Sequence, residues 1–246
     1  METPRQPVDL SLILACYREE EIFEESLARI IEILDSIDFT YEVILVDDKS
    51  PDRTRELIEK ALGRYKDKPI RAIFHERNLG RGAAVCTGFK AAQGEAMGFI
   101  DIDLEVAPSY ILPCWLALRK ADISLGKRIY KIRFGSLHRA VLSWGYHWLC
   151  SALLRLPEWD SETGYKFFRR EAIQRLMERA HDPGWFWDTE VMLQARAMGL
   201  SVQEVPCLFI RRLDKTSTVR VFRDSYDYFR RLLSYRVDAP GPAGRT

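Results

Sequence analysis

Three acidic residues at alternate positions, Asp101, Asp103 and Glu105, could together bind a metal ion. They stand at the end of an apolar run, residues 96–102, that is typical of a buried strand. If the chain stays extended there, all three carboxylates project to one side of it. Converging carboxylates repel one another unless a cation lies among them, and such oxygen ligands suit Mg²⁺ or Mn²⁺, with phosphate oxygens completing the shell. The alternative is a set of capping or solvated carboxylates in a turn.

Other polar residues follow the remaining predicted strands, where ligands bind in open parallel sheets. Tyr17 and Glu19 follow the first strand, and Asp48 follows the second. Arg81 lies in a glycine-rich segment, residues 78–82, that opens a helix after the third strand and could present backbone amides to an anion. A glycine turn that requires positive φ explains this segment equally well. The chain has no GxGxxG after the first strand and no GxxxxGKS or GxxxxGKT, which excludes a dinucleotide fold and a P-loop.

The elements that must position these residues alternate between strand and helix up to residue 105. The predicted strands are residues 8–15, 41–46, 70–74 and 96–102, and the predicted helices are residues 19–37, a helix opened by Ser50 and Pro51, and residues 82–92. Ser50 is the expected N-cap and Pro51 the first helical residue. This alternation predicts an α/β fold with a mostly parallel sheet and helices on both faces.

The pattern after residue 105 is less regular. Pro108 and Pro113 bracket a helix start; the other predicted helices are residues 137–154, 169–180, 189–198 and 220–235, and the predicted strands are residues 122–125 and 202–210. No internal repeat or linker interrupts residues 8–235, so we expect a single domain. A flexible tail, residues 237–246, is expected to follow it.

Composition and charge limit the class of protein. The 246 residues are 47% apolar and 30% charged, which supports a substantial core and excludes a disordered chain. Residues 1–105 hold 14 basic and 22 acidic residues and the rest hold 23 and 14, so the two halves are expected to meet different charged groups. Five cysteines without a CxxC pair favour a reducing cytosol. The longest nearly uncharged stretch, residues 140–154, is too short to span a bilayer.

Six short motifs, taken in order, resemble those of the inverting family 2 glycosyltransferases with the GT-A fold. They are Tyr17-Arg18-Glu19, similar to YNE; residues 46–54, VDDKSPDRT, similar to VDDGSPDGT; residues 77–83, RNLGRGA, similar to RNxGxGA; residues 101–105, DIDLE, similar to DADLQ; residues 126–130, GKRIY, similar to GSRY; and residues 160–166, DSETGYK, similar to a DxxSGFK loop at the acceptor entrance. The resemblance covers nearly all of residues 8–235. It points to dolichol-phosphate or polyprenyl-phosphate mannosyltransferases and glucosyltransferases.

The resemblance implies a GT-A domain over residues 8–236, with a nucleotide-sugar-binding half, residues 8–105, and an acceptor-binding half, residues 106–236. The implied nucleotide-sugar contacts are Tyr17, Glu19, Asp48, Arg81 and Asp101, and the implied ligands of Mg²⁺ or Mn²⁺ are Asp101, Asp103 and Glu105. The implied contacts of the acceptor phosphate are Arg128, Arg139, Ser143 and Arg212, and the implied catalytic residues are Asp103, Arg128, Asp188 and Glu190.

The reaction that the resemblance implies moves mannose or glucose from GDP-mannose or UDP-glucose to a polyprenyl or dolichyl phosphate, with inversion. A divalent cation would neutralise the charge on the departing diphosphate. A lipid phosphate is already anionic and needs basic residues but no general base. A hydroxyl acceptor, the first alternative, needs a carboxylate such as Asp188 or Glu190 to remove its proton, although Asp188 could simply cap the following helix. A non-catalytic membrane-associated binding subunit is the second alternative.

A membrane surface is the expected place of action. Residues 137–154 would form a Trp- and Leu-rich helix with Arg139 and Ser143 on one face. Basic residues beside such a helix suit an anionic membrane, although an ordinary buried helix has the same pattern. We expect a cytoplasmic protein that lies on the cytoplasmic face of a membrane or joins a membrane-anchored partner. No nucleic-acid recognition motif occurs, so nucleic acid is not an expected partner.

Overall fold

The computed structural model describes residues 7–130, 159–212 and 230–231. Four sequence predictions lie outside these residues: the helix 137–154, the phosphate contacts Arg139 and Ser143, the helix 220–235 apart from Arg230 and Arg231, and the tail 237–246. None of the helices in the described part of the chain is long and apolar enough to cross a membrane.

A seven-stranded sheet forms the centre of the described fold. Its strands are β1 (Leu10–Cys16), β2 (Tyr41–Asp47), β3 (Ile70–Phe74), β4 (Ala96–Ile100), β5 (Ile123–Tyr130), β6 (Tyr165–Arg169) and β7 (Val202–Phe209). The helices are α1 (Phe23–Asp35), α2 (Thr54–Arg64), α3 (Arg81–Ala91), α4 (Ile111–Ala117), α5 (Arg170–Met177) and α6 (Trp187–Ala197), with a 3₁₀ turn at Pro108–Tyr110. The strand order is β3-β2-β1-β4-β6-β5-β7. The predicted mostly parallel sheet is confirmed, since β6 alone among these strands runs antiparallel to its neighbours.

Helices cover both faces of the sheet, as the alternation of elements predicts. Successive residues of β1 point to opposite faces. Leu12 packs in one core cluster with Phe23 of α1, whereas Ile13 packs in the other with Phe89 of α3. Residues 43–46 of β2 are all fully buried. Strand β2 and most of β1 are therefore continuous apolar runs in the sequence, because helices bury them from both sides, whereas β3 at the end of the sheet is half-buried throughout.

Strand β6 lies in the middle of the sheet, and the sequence did not predict it. It pairs with β4 on one side and β5 on the other. Tyr165, Lys166, Phe167 and Phe168 are all buried, so the segment shows no polar and apolar alternation that would mark a strand. The expectation of a loop through Lys166 is therefore wrong. Strand β5 also extends beyond the predicted residues 122–125, because its later residues pair with β7.

Helix α2 begins three residues later than the sequence predicts. Arg53 occupies the N-cap position and its side chain makes no capping hydrogen bond, while the amide of Thr54 donates to Asp52 Oδ1 at 3.2 Å. Ser50 lies in the preceding turn, where its amide donates to Asp47 Oδ1 at 3.2 Å. The expected cap at Ser50 and the expected first helical residue Pro51 are wrong, since the Asp47 carboxylate holds this segment as a turn.

Gly88 of α3 packs where a side chain would strike the core. A Cβ there would come within 2.5 Å of Ile13 Cγ2. We expect Gly88→Ala to lower the free energy of unfolding by about 1–3 kcal/mol in urea denaturation, because overpacking outweighs the better helix propensity of alanine. Gly63 of α2 is the control, since nothing lies within 4 Å of its Cβ. Gly63→Ala should raise stability by up to about 1 kcal/mol, and equal effects of the two changes would contradict this account.

Candidate active site

The loops that follow β1, β2 and β4 meet at one edge of the sheet, because these strands are parallel neighbours. The chain order of the strands reverses between β1 and β4, which is where ligands bind in open α/β sheets. Tyr17, Asp48 and Asp101 each stand directly after one of these strands. The sheet therefore brings the predicted nucleotide-sugar residues to a common edge.

Residues 101–105 form a turn, and the expectation of extended backbone there is wrong. Strand β4 ends at Ile100, and Leu104 has a left-handed φ of 55°. The amide of Glu105 donates to Asp103 Oδ1 at 3.2 Å, which closes the turn. In the part of the chain that the structure describes, no group of three His, Cys, Asp or Glu side chains is arranged to hold a metal ion. The three acidic residues therefore do not form the cage that their alternate spacing predicts.

These carboxylates also bind other parts of the protein. Asp101 Oδ1 accepts hydrogen bonds from Arg81 Nη2 at 2.6 Å and from Arg81 Nε at 3.2 Å. Glu105 Oε1 accepts the amide hydrogen of Arg212 at 3.2 Å. Asp101 and Asp103 still offer hard oxygen donors, and Mg²⁺ is usually held by one or two carboxylates together with phosphate and water. The residues present fit a divalent cation bound in this way.

Arg81, the first residue of α3, is the cation at the centre of the site. It pairs with Asp101 and with Asp188 Oδ2. Its Cζ lies 5.3 Å from the ring centroid of Phe99 and 5.1 Å from that of Trp185. Burial opposes the charge, but the two carboxylates outweigh burial and raise the pKa of Arg81 above its ordinary value. The site therefore holds a fixed positive charge beside the end of β4.

Asp188 lies between two cations. Besides Arg81 it binds Lys166, whose Nζ is 2.9 Å from Asp188 Oδ1 and whose side chain is fully buried. Burial lowers the pKa of Lys166, and the charge of Asp188 opposes that shift. Arg81 and Lys166 each bind one oxygen of the Asp188 carboxylate, so an acceptor hydroxyl would have to compete with both cations to reach Asp188 as its expected general base. The alternative role as a helix cap is wrong, because α6 begins at Trp187 and has no side-chain cap.

Glu190, the other candidate base, binds the loop before α6. Its Oε2 accepts the amide hydrogens of His181 at 2.9 Å and Asp182 at 2.7 Å. Burial raises the pKa of Glu190, and these two hydrogen bonds limit the rise. The same loop is held at Asp182 Oδ1, which accepts the amide hydrogen of Gly184 at 2.7 Å. Glu190 therefore positions this loop.

Arg128, an expected phosphate contact, binds a carboxylate instead. Its Nε and Nη2 donate to the two oxygens of Asp160 at 2.8 and 2.7 Å, and its amide donates to Asp160 Oδ2 at 3.0 Å. Burial opposes the charge of Arg128, but Asp160 outweighs it and raises the pKa of Arg128. A phosphate would have to compete with Asp160 for this guanidinium. Arg212, the other described candidate, has its Nη2 3.8 Å from Glu25 Oε2.

Asp48 organises the glycine-rich segment before α3. Its carboxylate accepts the amide hydrogens of Leu79 and Gly80, both at 2.8 Å. His75 Nδ1 lies 2.8 Å from Asp48 Oδ1. Gly80 has a φ of 99°, and a Cβ there would collide with the carbonyl oxygen of Pro183. The predicted need for positive φ is therefore confirmed, because residues other than glycine rarely adopt this conformation.

Sequence reasoning missed His75, and it placed Asp160 and Lys166 only in the motif at residues 160–166, without their partners. His75 and the pairing of Asp160 with Arg128 gave no signal, because the partners lie 27 and 32 residues apart in the chain. Lys166 did give one, since a lysine inside the apolar run of β6 must find a partner when it is buried. Tyr17 is half-buried and Glu19 is buried, with the Glu19 amide donating to Thr54 Oγ1 at 2.8 Å, and their nucleotide contacts stay predictions.

The chain is similar in sequence to a known protein family and to several characterised proteins. The sequence model of the family described as Glycosyl transferase family 2 matches residues 11–177. Glycosyltransferase AglD of Haloferax volcanii is 31% identical over 81% of this chain and 32% of its own length. The dolichyl-phosphate beta-glucosyltransferases of Drosophila melanogaster and Mus musculus are 30% and 29% identical over 80% of this chain, which spans 66% and 65% of their lengths. The chain thus matches only part of each relative.

Solved structures share the fold. Glucosyl-3-phosphoglycerate synthase from Mycobacterium tuberculosis, in complex with Mg²⁺ and UDP, has a TM-score of 0.70 and 21% identity over 97% of this chain and 83% of that chain. Mannosyltransferase PcManGT from Pyrobaculum calidifontis, in complex with GDP-Man and Mn²⁺, has a TM-score of 0.65 and 18% identity over 97% of this chain and 67% of that chain. At these identities the likeness concerns the fold alone.

The buried pairing of Asp188 leads to a stability prediction. We expect Asp188→Asn to lower the free energy of unfolding by about 3–5 kcal/mol, because Lys166 and Arg81 both lose a buried partner. Glu56→Gln is the control, since Glu56 also pairs with an Arg and a Lys but lies half-exposed on α2. It should change stability very little. Urea denaturation of both variants measures the difference, and equal losses would refute the importance of burial here.

Proposed function

The chain belongs to glycosyl transferase family 2, and from that premise we propose that it transfers a hexose from a nucleotide sugar to a polyprenyl phosphate. The motif resemblance to this family and the expected GT-A fold are both confirmed. The acceptor, the donor and the use of a metal are the parts of the proposal that go beyond family membership.

The position of Asp188 between Lys166 and Arg81 carries the proposal of a phosphate acceptor. Attack by a hydroxyl needs a group that removes its proton. Both oxygens of Asp188 already bind Arg81 and Lys166, and Glu190 accepts hydrogen bonds from two backbone amides. A phosphate oxygen arrives anionic and needs only to be positioned. The names of the two dolichyl-phosphate beta-glucosyltransferase relatives support the same acceptor.

The donor half of the site supports binding of a sugar attached to a nucleoside diphosphate. We propose that Tyr17 and Glu19 contact the nucleoside, and that Arg81 faces the diphosphate from the start of α3. A divalent cation, held by Asp101 and Asp103, supplies charge neutralisation of the leaving diphosphate when it is bound. Arg81 is already fixed by its carboxylate partners, so it needs no reorganisation when the substrate arrives. The relatives' names favour glucose, and we propose UDP-glucose as the donor over GDP-mannose.

A polyprenyl phosphate lies in a bilayer, so we propose that the protein works at the cytoplasmic surface of a membrane, directly or beside a membrane-anchored partner.

The proposed acceptor can be tested with a matched pair of lipids. Purified protein with Mg²⁺ or Mn²⁺ and either labelled UDP-glucose or labelled GDP-mannose is given a polyprenyl phosphate or the polyprenol of the same length. We expect labelled lipid from the phosphate and none from the alcohol. Transfer to the alcohol would favour the hydroxyl alternative, and no transfer with any donor would favour a binding subunit.

Two isosteric substitutions can distinguish a proposed metal ligand, Asp103, from Glu105, which we do not propose as a ligand. We expect Asp103→Asn to weaken Mn²⁺-dependent binding of the donor by at least about 100-fold, because it removes a charged ligand of the cation. Glu105→Gln should weaken it less than about threefold, since the backbone and the side chain of Glu105 both bind the segment after β7, through the amides of Ile210 and Arg212. Calorimetric titration of the donor with and without Mn²⁺ measures both. Equal losses of donor affinity in the two variants would instead support the three-carboxylate site that the sequence predicts.

A further inference from the structure

Trp185 exposes its indole beside the buried charges of the active site. About half of the residue, 47%, is open to solvent. Its ring centroid lies 5.1 Å from Arg81 Cζ, the guanidinium that binds Asp101 at the end of β4. A large aromatic side chain contributes to stability by burial, and Trp185 leaves about half of its surface unburied beside the paired charges of Arg81 and Asp101.

Several contacts hold the loop that carries Trp185, so the exposure of the Trp185 indole is determined by the fold. The amide of Ala83, in the first turn of α3, donates to the carbonyl oxygen of Pro183 at 3.0 Å. Gly82 packs so closely under the loop that a Cβ there would come within 2.9 Å of the carbonyl oxygen of Gly184. The carboxylate of Glu190 binds the start of the same loop. A side chain held in place before a ligand arrives loses little freedom on binding, which favours affinity.

We propose that the exposed part of the Trp185 indole packs against the hexosyl ring of the bound donor and contributes to selection of the sugar. This inference rests on the proposed function. Arg81 connects Trp185 to Asp101, where the diphosphate is proposed to bind, and the hexose is bonded directly to that diphosphate. The C–H face of a hexopyranose is apolar, and ligand sites combine aromatic walls with a few oriented polar groups. Trp185 supplies the wall here, and Arg81 and Asp101 supply the polar groups.

Two other roles would give different binding data. If Trp185 merely supports Arg81 through the cation–π contact, its removal weakens the nucleotide with and without the sugar. If it contacts the lipid acceptor, its removal raises KM for the lipid and leaves donor binding alone. A hexosyl contact affects UDP-glucose and leaves UDP unchanged. The difference between these two ligands is therefore the decisive measurement.

The experiment compares the wild type with Trp185→Ala, Trp185→Phe and Leu116→Ala, titrating each with UDP-glucose, GDP-mannose and UDP in the presence of Mn²⁺. Leu116 is 40% exposed on α4 and controls for the loss of an exposed apolar side chain. We expect Trp185→Ala to weaken UDP-glucose about tenfold and UDP less than twofold, with Trp185→Phe recovering most of the loss. Leu116→Ala should change neither.

Three results would overturn the inference: equal weakening of UDP and UDP-glucose, no change in either, or an effect confined to KM for the lipid. If the wild type binds none of these ligands, the proposed function fails and this inference fails with it. If the wild type binds and transfers the hexose but Trp185→Ala gives one of the three results, this inference fails alone.

Discussion

The ion pairing of the buried Asp188 carboxylate with Lys166 and Arg81 is the interaction on which the site depends. Charges removed from water cost several kcal/mol each unless a partner compensates them. The pairing continues from Arg81 to Asp101, so positive and negative groups alternate from the core to the edge of the sheet. These four residues belong to β6, α6, α3 and the loop after β4. The site can form only when these elements have packed together.

This arrangement determines what each charge can do. Asp188 binds two cations through its two carboxylate oxygens, although it resembles a catalytic base in the sequence. Two carboxylates stabilise the positive charge of Arg81, and its guanidinium lies next to two aromatic rings. A positive group fixed in advance stabilises developing negative charge better than one that must reorient. The same contacts that hold these elements together thus fix the position of a positive charge at the site.

The sequence predicted the parallel half of the sheet because each of its strands is a short apolar run ending in polar residues. It also predicted which loops share an edge, since this follows from parallel order alone. It could not predict β6, because a strand buried on both faces and inserted antiparallel between β4 and β5 is defined by its neighbours. Nor could it predict that Asp188 meets Lys166, 22 residues earlier in the chain. The spacing of residues along the chain indicates which side chains could take part in chemistry. Tertiary contacts determine which of these side chains bind other parts of the protein instead.

The turn at residues 101–105 shows how packing overrides a local pattern. Alternate acidic residues favour a cage only if the backbone stays extended, but the amide of Asp101 donates to the carbonyl oxygen of Gly164 at 2.9 Å. The Asp101 side chain also lies so close to Gly164 that a Cβ there would collide with its carboxylate. Two motifs about 60 residues apart in the sequence are therefore one physical unit. Because Gly164 and Arg81 fix Asp101 from two sides, Asp101 cannot turn toward Glu105 without breaking these contacts. This is the reason we propose that Asp101 and Asp103 hold the cation, with phosphate and water oxygens in place of a third carboxylate.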